Sequence, residues 1–326
     1  MKQMKCLIIY YSQTGNTEKI ARAIQKGVQQ AAGHCDIAKI KDVNPRRLFQ
    51  YDLLGLGCPV IGFQEPMNVM AFIKNMKFVG GKHIFVFDTH ATRGEFFFPS
   101  IVPKLRRKGM VVVGMFDSYA AMGNQELCPT GGHPDAKDLE DAEKFGRDVV
   151  ETSRRIAAGE TDLIPDYPPY VEYFPLKYIR WRQAKEKEMG VPPAAAERRI
   201  MVEYHPEKCK YPNCWLCMEN CPMETLDITV RPPVIGKNCM RCMTCVKVCP
   251  NGAMTMARPE GMGQGSRISP EVAKKVFEEF YLKPLAKAEA EGRFRRYVPV
   301  EKLSFGFGGP PPKEKGDHEK SEQESL

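Results

Sequence analysis

Eight of the twelve cysteines fall within 41 residues, and their spacing is that of metal-cluster ligands. The later half reads Cys239-x2-Cys242-x2-Cys245-x3-Cys249-Pro250. Three thiolates so spaced bind one four-iron cubane, while the fourth ligates a second cluster. Moving back 28 residues sets Cys214, Cys217, Cys221 and Pro222 under Cys242, Cys245, Cys249 and Pro250, with apolar Leu226 and Ile228 under Met254 and Met256. The segment is therefore an internal repeat with cross-shared ligands. It assigns one [4Fe-4S] cluster to Cys209, Cys214, Cys217 and Cys249, and the other to Cys239, Cys242, Cys245 and Cys221. Structural zinc in two four-cysteine sites accounts for paired C-x-x-C but not for the doubled x3-Cys-Pro ending.

The repeat has one irregularity. Tyr211 stands under Cys239, and the first cysteine of the earlier half comes two residues sooner, at Cys209. Read alone, Cys209-x4-Cys214-x2-Cys217 is a two-iron spacing, but Cys221-Pro222 completes the four-iron pattern. The longer loop, with Pro212 and Trp215, alters solvent access and hydrogen bonding at that cluster, which are factors that set potential. Were Cys209 not to reach, the centre would be labile or three-iron.

A second chemistry-bearing segment lies at the N-terminus. An apolar run ends in Tyr11-Ser12-Gln13-Thr14-Gly15-Asn16-Thr17, directly before a helical pattern beginning near Glu18. Small hydroxyl residues and glycine at a strand-to-helix junction offer backbone N–H groups and a helix N-terminus to an anion. The loop has no lysine, so it is neither a Walker loop nor GxGxxG. A capped helix start with a glycine turn is the plainer reading.

Ser12-x-Thr14-Gly15-Asn16-Thr17 after a first strand resembles the FMN phosphate loop of flavodoxins. Two further loops, Gly57-Cys58-Pro59-Val60-Ile61-Gly62-Phe63 and Asp88-Thr89-His90-Ala91-Thr92-Arg93-Gly94, fall where that family folds over the flavin ring. With the cysteine repeat, the chain resembles flavodoxin–ferredoxin fusion proteins of anaerobes over about residues 5–158 and 207–257. The resemblance implies FMN held by Ser12, Gln13, Thr14, Gly15, Asn16 and Thr17, by Cys58, Pro59, Val60, Ile61, Gly62 and Phe63, and by Thr89, His90, Ala91 and Gly94. Where many flavodoxins stack Trp and Tyr on the ring, this chain offers Phe63 and His90, with Phe96 further on, so the flavin is expected to be more open. Cys58 reads either as a redox-active thiol or as a small core hydrophobe, with the core role favoured. His90 reads either as a donor to a flavin carbonyl or as a structural residue. Asp88 is expected to be structural, and so are Cys6 and Cys35 in the strands, whereas Cys128 has no evident role.

The elements that must carry these loops are legible as periodicity. Apolar β-rich runs at 5–11, 35–40, 52–57, 83–88 and 111–117 alternate with amphipathic stretches such as Ile20, Ile24 and Val28. Together they predict an α/β fold: a doubly wound five-stranded parallel sheet with about five helices, the last from near Asp135 to Ala158. The expected organisation is this flavodoxin-like domain over 1–158, a proline-rich connector over 159–206 with one basic, aromatic helix at 176–189, and a small α+β two-cluster domain over 207–257. A helical extension follows over 258–305, its helix starting at Ser269-Pro270 and ending near Ala290. The charged, Gly/Pro-rich tail at 306–326 is expected to be disordered.

The composition, 43% hydrophobic and 27% charged, is that of an ordinary globular chain. No run of about 18 apolar residues predicts a membrane span, and the N-terminal apolar run is too brief for a secretory signal, so the expected location is cytoplasmic. The formal charge of +8 is weak evidence for nucleic acid, because two clusters and a flavin phosphate would bring the loaded chain to about +2. The expected partner is a redox protein or a small electron acceptor, and the sequence is silent on oligomeric state. These cofactors imply an electron carrier between a one-electron donor and a flavin-dependent acceptor. The other reading is a reductase of a small organic or quinone-like substrate, for which no acid/base pair or NAD(P)H fingerprint is visible.

Overall fold

The computed structural model describes residues 4–121, 128–167, 201–240, 242–257 and 278–303. The expected connector helix at 176–189, the helix start at Ser269 and the tail at 306–326 lie outside these residues.

Five short apolar runs pair in parallel in the order β2-β1-β3-β4-β5: β1 (Cys6–Tyr10), β2 (Cys35–Lys39), β3 (Leu53–Pro59), β4 (His83–His90) and β5 (Val111–Tyr119). Alternate side chains point to opposite faces, so one set of runs builds two cores. Leu7, Ile9, Leu54, Leu56, Ile84, Val86 and Val112 face α2 (Met67–Asn75) and α3 (Phe97–Arg106). Ile8, Tyr10, Leu53, Phe85, Phe87 and Val113 face α1 (Asn16–Ala32) and α4 (Ala136–Ala157). Burial on both faces accounts for near-continuous apolar strands.

Helices α1 and α4 cross closely because each has a glycine at the contact. A Cβ on Gly27 would lie 1.9 Å from the Glu143 carbonyl oxygen, and one on Gly146 would lie 2.2 Å from that of Ile24. Helix α4 begins where the sequence places it: Asp135 caps the Asp138 N–H, and the Asp138 carboxylate returns the bond to the Asp135 N–H. Among the described residues of the sheet domain there are four α-helices where about five were expected. Between β2 and β3 the chain makes two 3-10 turns, Ile40–Asp42 and Leu48–Gln50. Asn44-Pro45 separates them, and proline disfavours helical backbone in the residue before it.

The cysteine module keeps the 28-residue repeat in three dimensions. Helix α5 (Leu216–Glu219) corresponds to α6 (Thr244–Lys247), and two antiparallel pairs frame them: β6 (Met201–Tyr204) with β9 (Met254–Ala257), and β7 (Leu226–Asp227) with β8 (Val234–Ile235). After a π-helical turn at Glu278–Leu282, α7 (Lys283–Ala290) and the strap to residue 303 return to the sheet domain. There Leu285, Ala288 and Phe294 pack on Tyr119 at the end of β5. The expected end of the extension's helix near Ala290 is where α7 stops.

Candidate functional site

The chain leaves β1 for β2 on one side and returns to β3 on the other, so the strand order switches between β1 and β3. Loops at such a switch leave a crevice above the carboxyl ends of the strands. Here it is a cavity of about 170 Å³. Gln13, Thr14, Asn16 and Thr17 form one wall; Pro59, Val60 and Ile61 form the second; Thr89, His90 and Ala91 form the third. Ala120 and Ala121, after β5, complete it. These two alanines carry no sequence signal, since only the fold brings their backbone to the site.

The β1–α1 loop is folded by its own groups. Gly15 adopts φ +93°, its N–H donates to Ser12 Oγ at 3.1 Å, and its carbonyl accepts from Lys19 N–H at 2.9 Å. No side chain caps α1, which leaves a 17-residue helix opening toward the crevice with its dipole's positive end. The Thr17 hydroxyl shares a 2.7 Å hydrogen bond with Thr89, and Asn16 Nδ2 donates to the Ala121 carbonyl at 3.1 Å. These side chains thus tie the first wall to the third and to the loop after β5. A polar cradle at a helix N-terminus, continuous with an apolar slot at Val60 and Ile61, fits a phosphorylated flavin.

Other expected residues are placed differently. Cys58 is fully buried beneath this layer and does not line the crevice; burial first, then Glu65 and Asp88, push its thiol well above the ordinary range. Gly62 and Phe63 both take positive φ at the tip of a tight turn closed by Ile61 and Gln64, and the Phe63 ring meets Phe96 edge-on at 6.0 Å. Gly94 gives room to the His90 ring, which a Cβ would approach to 2.6 Å.

Below the crevice, His90 Nδ1 and Asp88 Oδ1 share a 2.8 Å hydrogen bond out of contact with water, and Asp88 Oδ2 has no partner. Burial pushes the Asp88 carboxyl up to about 6 despite the opposing pull of His90. Burial alone would lower His90, but the neighbouring carboxylate outweighs it and raises the imidazole. Both shifts favour keeping a proton on the pair. With Nδ1 engaged, Nε2 is the ring atom left for a ligand.

The strap buttresses this corner. Tyr119 stacks edge-on with His90 at 4.8 Å, and Phe294 lies 5.0 Å from Tyr119. Arg295 donates to both Asp135 oxygens and to Asp138, while buried His133 donates to the Arg295 carbonyl at 2.7 Å. His133, Asp135 and Asp138 could together ligate a cation, but the guanidinium of Arg295 already supplies the positive charge there.

In the cysteine module, Cys209, Cys214, Cys217 and Cys249 line one apolar cavity with Ile228, Ala253 and Met254. Cys221, Cys239, Cys242 and Cys245 line another with Val202, Leu226 and Ile235. Four thiols around each cavity, with apolar walls, fit a cubane in each. The irregular loop accommodates Cys209: a turn closed by Asn213 N–H on the Lys210 carbonyl folds the extra residues outward between Cys209 and Cys214. The repeat recurs in the bonds to sulfur, Ala253 N–H to Cys249 Sγ at 3.1 Å and Thr225 N–H to Cys221 Sγ at 3.5 Å. Burial raises the Cys217 thiol and pushes Cys245 up to about 11, neighbouring cysteines adding to the effect. Metal binding must therefore displace protons from them.

The two regions touch. Gln13 of the β1–α1 loop donates through its side-chain amide to the Cys242 carbonyl, and Met240 packs on the core beneath Tyr11. Lys41 reaches the Glu219 carbonyl.

Known proteins divide along the same line. The family profile described as Flavodoxin matches residues 8–120, and that described as 4Fe-4S binding domain matches residues 232–255. A flavodoxin of Clostridium beijerinckii is 30% identical over 109 residues, which cover 32% of this chain and 79% of that protein. A ferredoxin of Methanothermococcus thermolithotrophicus is 41% identical over 59 residues, covering 18% of this chain and 95% of that protein. A flavodoxin of Megasphaera elsdenii is 30% identical over 112 residues, covering 34% of this chain and 63% of that one.

Proposed function

The chain belongs to the flavodoxin family over its N-terminal domain and to the ferredoxins over its cysteine module, and on that premise we propose that it passes electrons between two [4Fe-4S] clusters and FMN, linking a one-electron donor to a flavin-dependent acceptor. Its domains are those of electron transfer: the first implies FMN and the second implies a 4Fe-4S cluster. Among the described residues no helix is long and apolar enough to cross a membrane. The finer reading rests above all on one observation, the gathering of eight cysteines into two tetrads around separate cavities.

When bound, the flavin exchanges electrons singly or in pairs and each cluster exchanges one. The chain's own residues supply position and field. The β1–α1 loop and the α1 N-terminus would hold the flavin phosphate. Pro59, Val60 and Ile61 line the crevice where they would shield a bound flavin from water, and His90, oriented by Asp88, would offer Nε2 to it. Thr225 and Ala253 N–H groups stabilise charge on the ligating sulfurs of Cys221 and Cys249. The functional units in this reading are the flavin domain 1–158, the two-cluster domain 207–257, and the extension 258–305 that returns to brace the flavin domain. The connector 159–206 and the tail 306–326 join or follow them.

Anaerobic reconstitution with iron, sulfide and FMN, followed by stepwise reduction, tests the reading. About eight irons and one FMN per chain, bleaching in separate optical and magnetic steps, are expected. Four irons, or no FMN, would overturn it. Rapid two-electron turnover of a small quinone without any protein partner would replace the carrier with a reductase.

A further inference from the structure

We propose that the two cysteine tetrads are wired in a fixed order, in which the tetrad of Cys242 exchanges electrons with the flavin site, the tetrad of Cys209 is the port to the outside partner, and Tyr11 positions and tunes the inner tetrad through its hydroxyl. The inference rests on the two-cluster reading above.

Three observations carry it. First, only one tetrad touches the flavin crevice among the described residues. Gln13, which lines the crevice, bonds the backbone of Cys242, and Met240 packs against the sheet-domain core. The cavity of the other tetrad is lined wholly by residues of the cysteine module, from Cys209 to Met254. Second, the outer tetrad has an exposed edge by which a partner can approach: Trp215, beside Cys214, is 51% exposed, and Leu216, Lys208 and Lys210 are exposed around it. Third, Tyr11 is 7% exposed, and its hydroxyl, unpaired by hydrogen-bond geometry, lies beside the side chains of Cys242 and Thr244, which are themselves 3.1 Å apart. A buried, unpaired O–H is costly, and one beside a thiol gains an acceptor once that sulfur becomes a metal-bound thiolate. Tyr11 is also the first residue after β1, at the start of the β1–α1 loop, so one residue joins the inner tetrad to the flavin cradle.

The electron bookkeeping is simple. An external one-electron donor is oxidised by one electron, which enters at the Cys209 tetrad, moves to the Cys242 tetrad and leaves it for the flavin site. Two passages, with up to two protons from solvent, reduce the flavin fully, and the reverse flow uses the same order. Electron transfer slows steeply with distance, so the tetrad that abuts the crevice is the one able to serve it.

The test is Tyr11→Phe in the full chain loaded with iron, sulfide and FMN. The ring is kept and only the hydroxyl is lost. A cluster gains negative charge on reduction, so a donor to its sulfur favours the reduced form. Potentiometric titration followed by magnetic resonance should show one of the two cluster steps moving to lower potential while the other stays. The expected size is about tenfold in the reduction equilibrium, or about 59 mV for one electron. Single-cluster chains assign the step: the shift should persist in Cys217→Ala, which keeps the inner tetrad, and vanish in Cys245→Ala, which keeps the outer one. Unmoved steps in the intact Tyr11→Phe chain, or a shift that survives only in Cys245→Ala, would overturn the order. An iron count of four in the unaltered chain would instead overturn the two-cluster reading beneath it. FMN content equal to that of the unaltered chain shows that Tyr11→Phe has left the cradle folded.

Discussion

The sheet domain and the cysteine module hold their cofactors in opposite ways. In the first, two apolar cores on either face of a five-stranded sheet are complete without any ligand, and the crevice is a surface feature above them. In the second, the apolar core among described residues centres on Cys217, Leu226, Ile228 and Met254, with other ligating cysteines packed around it. The thiols that would bind iron are themselves the core. A module of this size buries too little surface to stand alone, so its metal must be part of its folding energy. One region binds a cofactor; the other is built from it.

The largest break in that comparison is iron removal. Chelation under reducing conditions should abolish amide-exchange protection across residues 201–257, while β1 to β5 keep theirs and the chain still binds FMN. Loss of protection in both regions at once would mean that the sheet domain leans on the module. The converse is Gly27→Ala, which drives a Cβ to 1.9 Å from the Glu143 carbonyl oxygen at the α1–α4 crossing. Overpacking of this kind costs about 3 kcal/mol. It should lower the sheet domain's thermal midpoint and weaken FMN, leaving the cluster absorbance per chain unchanged.

Much of this contrast is legible before folding, for a physical reason. Strand burial on two faces writes near-continuous apolar runs, so Cys6–Tyr10 and Val111–Tyr119 declare themselves. Ligand geometry fixes cysteine spacing, so the 28-residue offset foretells that α5 and α6 correspond. What escapes is whatever depends on one side chain meeting a distant backbone. Gln13 and Cys242 lie 229 positions apart, and nothing in their local patterns announces a contact. Arg295 and Asp135, 160 positions apart, are two charges among many until the strap turns back. The helix count is a failure of a different kind: β–α alternation suggests about five helices, whereas between β2 and β3 Asn44-Pro45 lies between two 3-10 turns.

The strap sharpens the comparison further, because it follows the cysteine module in sequence but belongs energetically to the sheet domain. Arg295→Ala removes three charge-assisted hydrogen bonds, to Asp135 and Asp138, and leaves both carboxylates without their guanidinium partner, while His133 keeps its bonds to Asp138 and to the backbone carbonyl at 295. About 2 kcal/mol of sheet-domain stability should go, seen in urea unfolding by far-UV ellipticity. Cluster decay on exposure to air should keep its rate if the strap serves only the flavin domain. A faster decay would show that it braces both.

The smallest effect is in pH and follows from the same contact. Burial would raise the Asp135 carboxyl, but hydrogen bonds from Arg295, Tyr297 and the Asp138 N–H outweigh it and hold the group well below its ordinary value of 3.8. Folded Asp135 therefore gives up its proton at a pH where the unfolded chain still holds it. In that range the unfolded chain binds more protons, so stability falls as pH falls. The contribution is complete above about pH 4 to 5 and is lost progressively below it. Between pH 5 and 3, the unaltered sheet domain should lose more stability than Arg295→Ala, because the variant has already returned Asp135 toward its ordinary range. Equal losses would mean that Tyr297 and the helix cap, rather than Arg295, hold the carboxylate, and that the strap is fastened mainly by Phe294 against Tyr119.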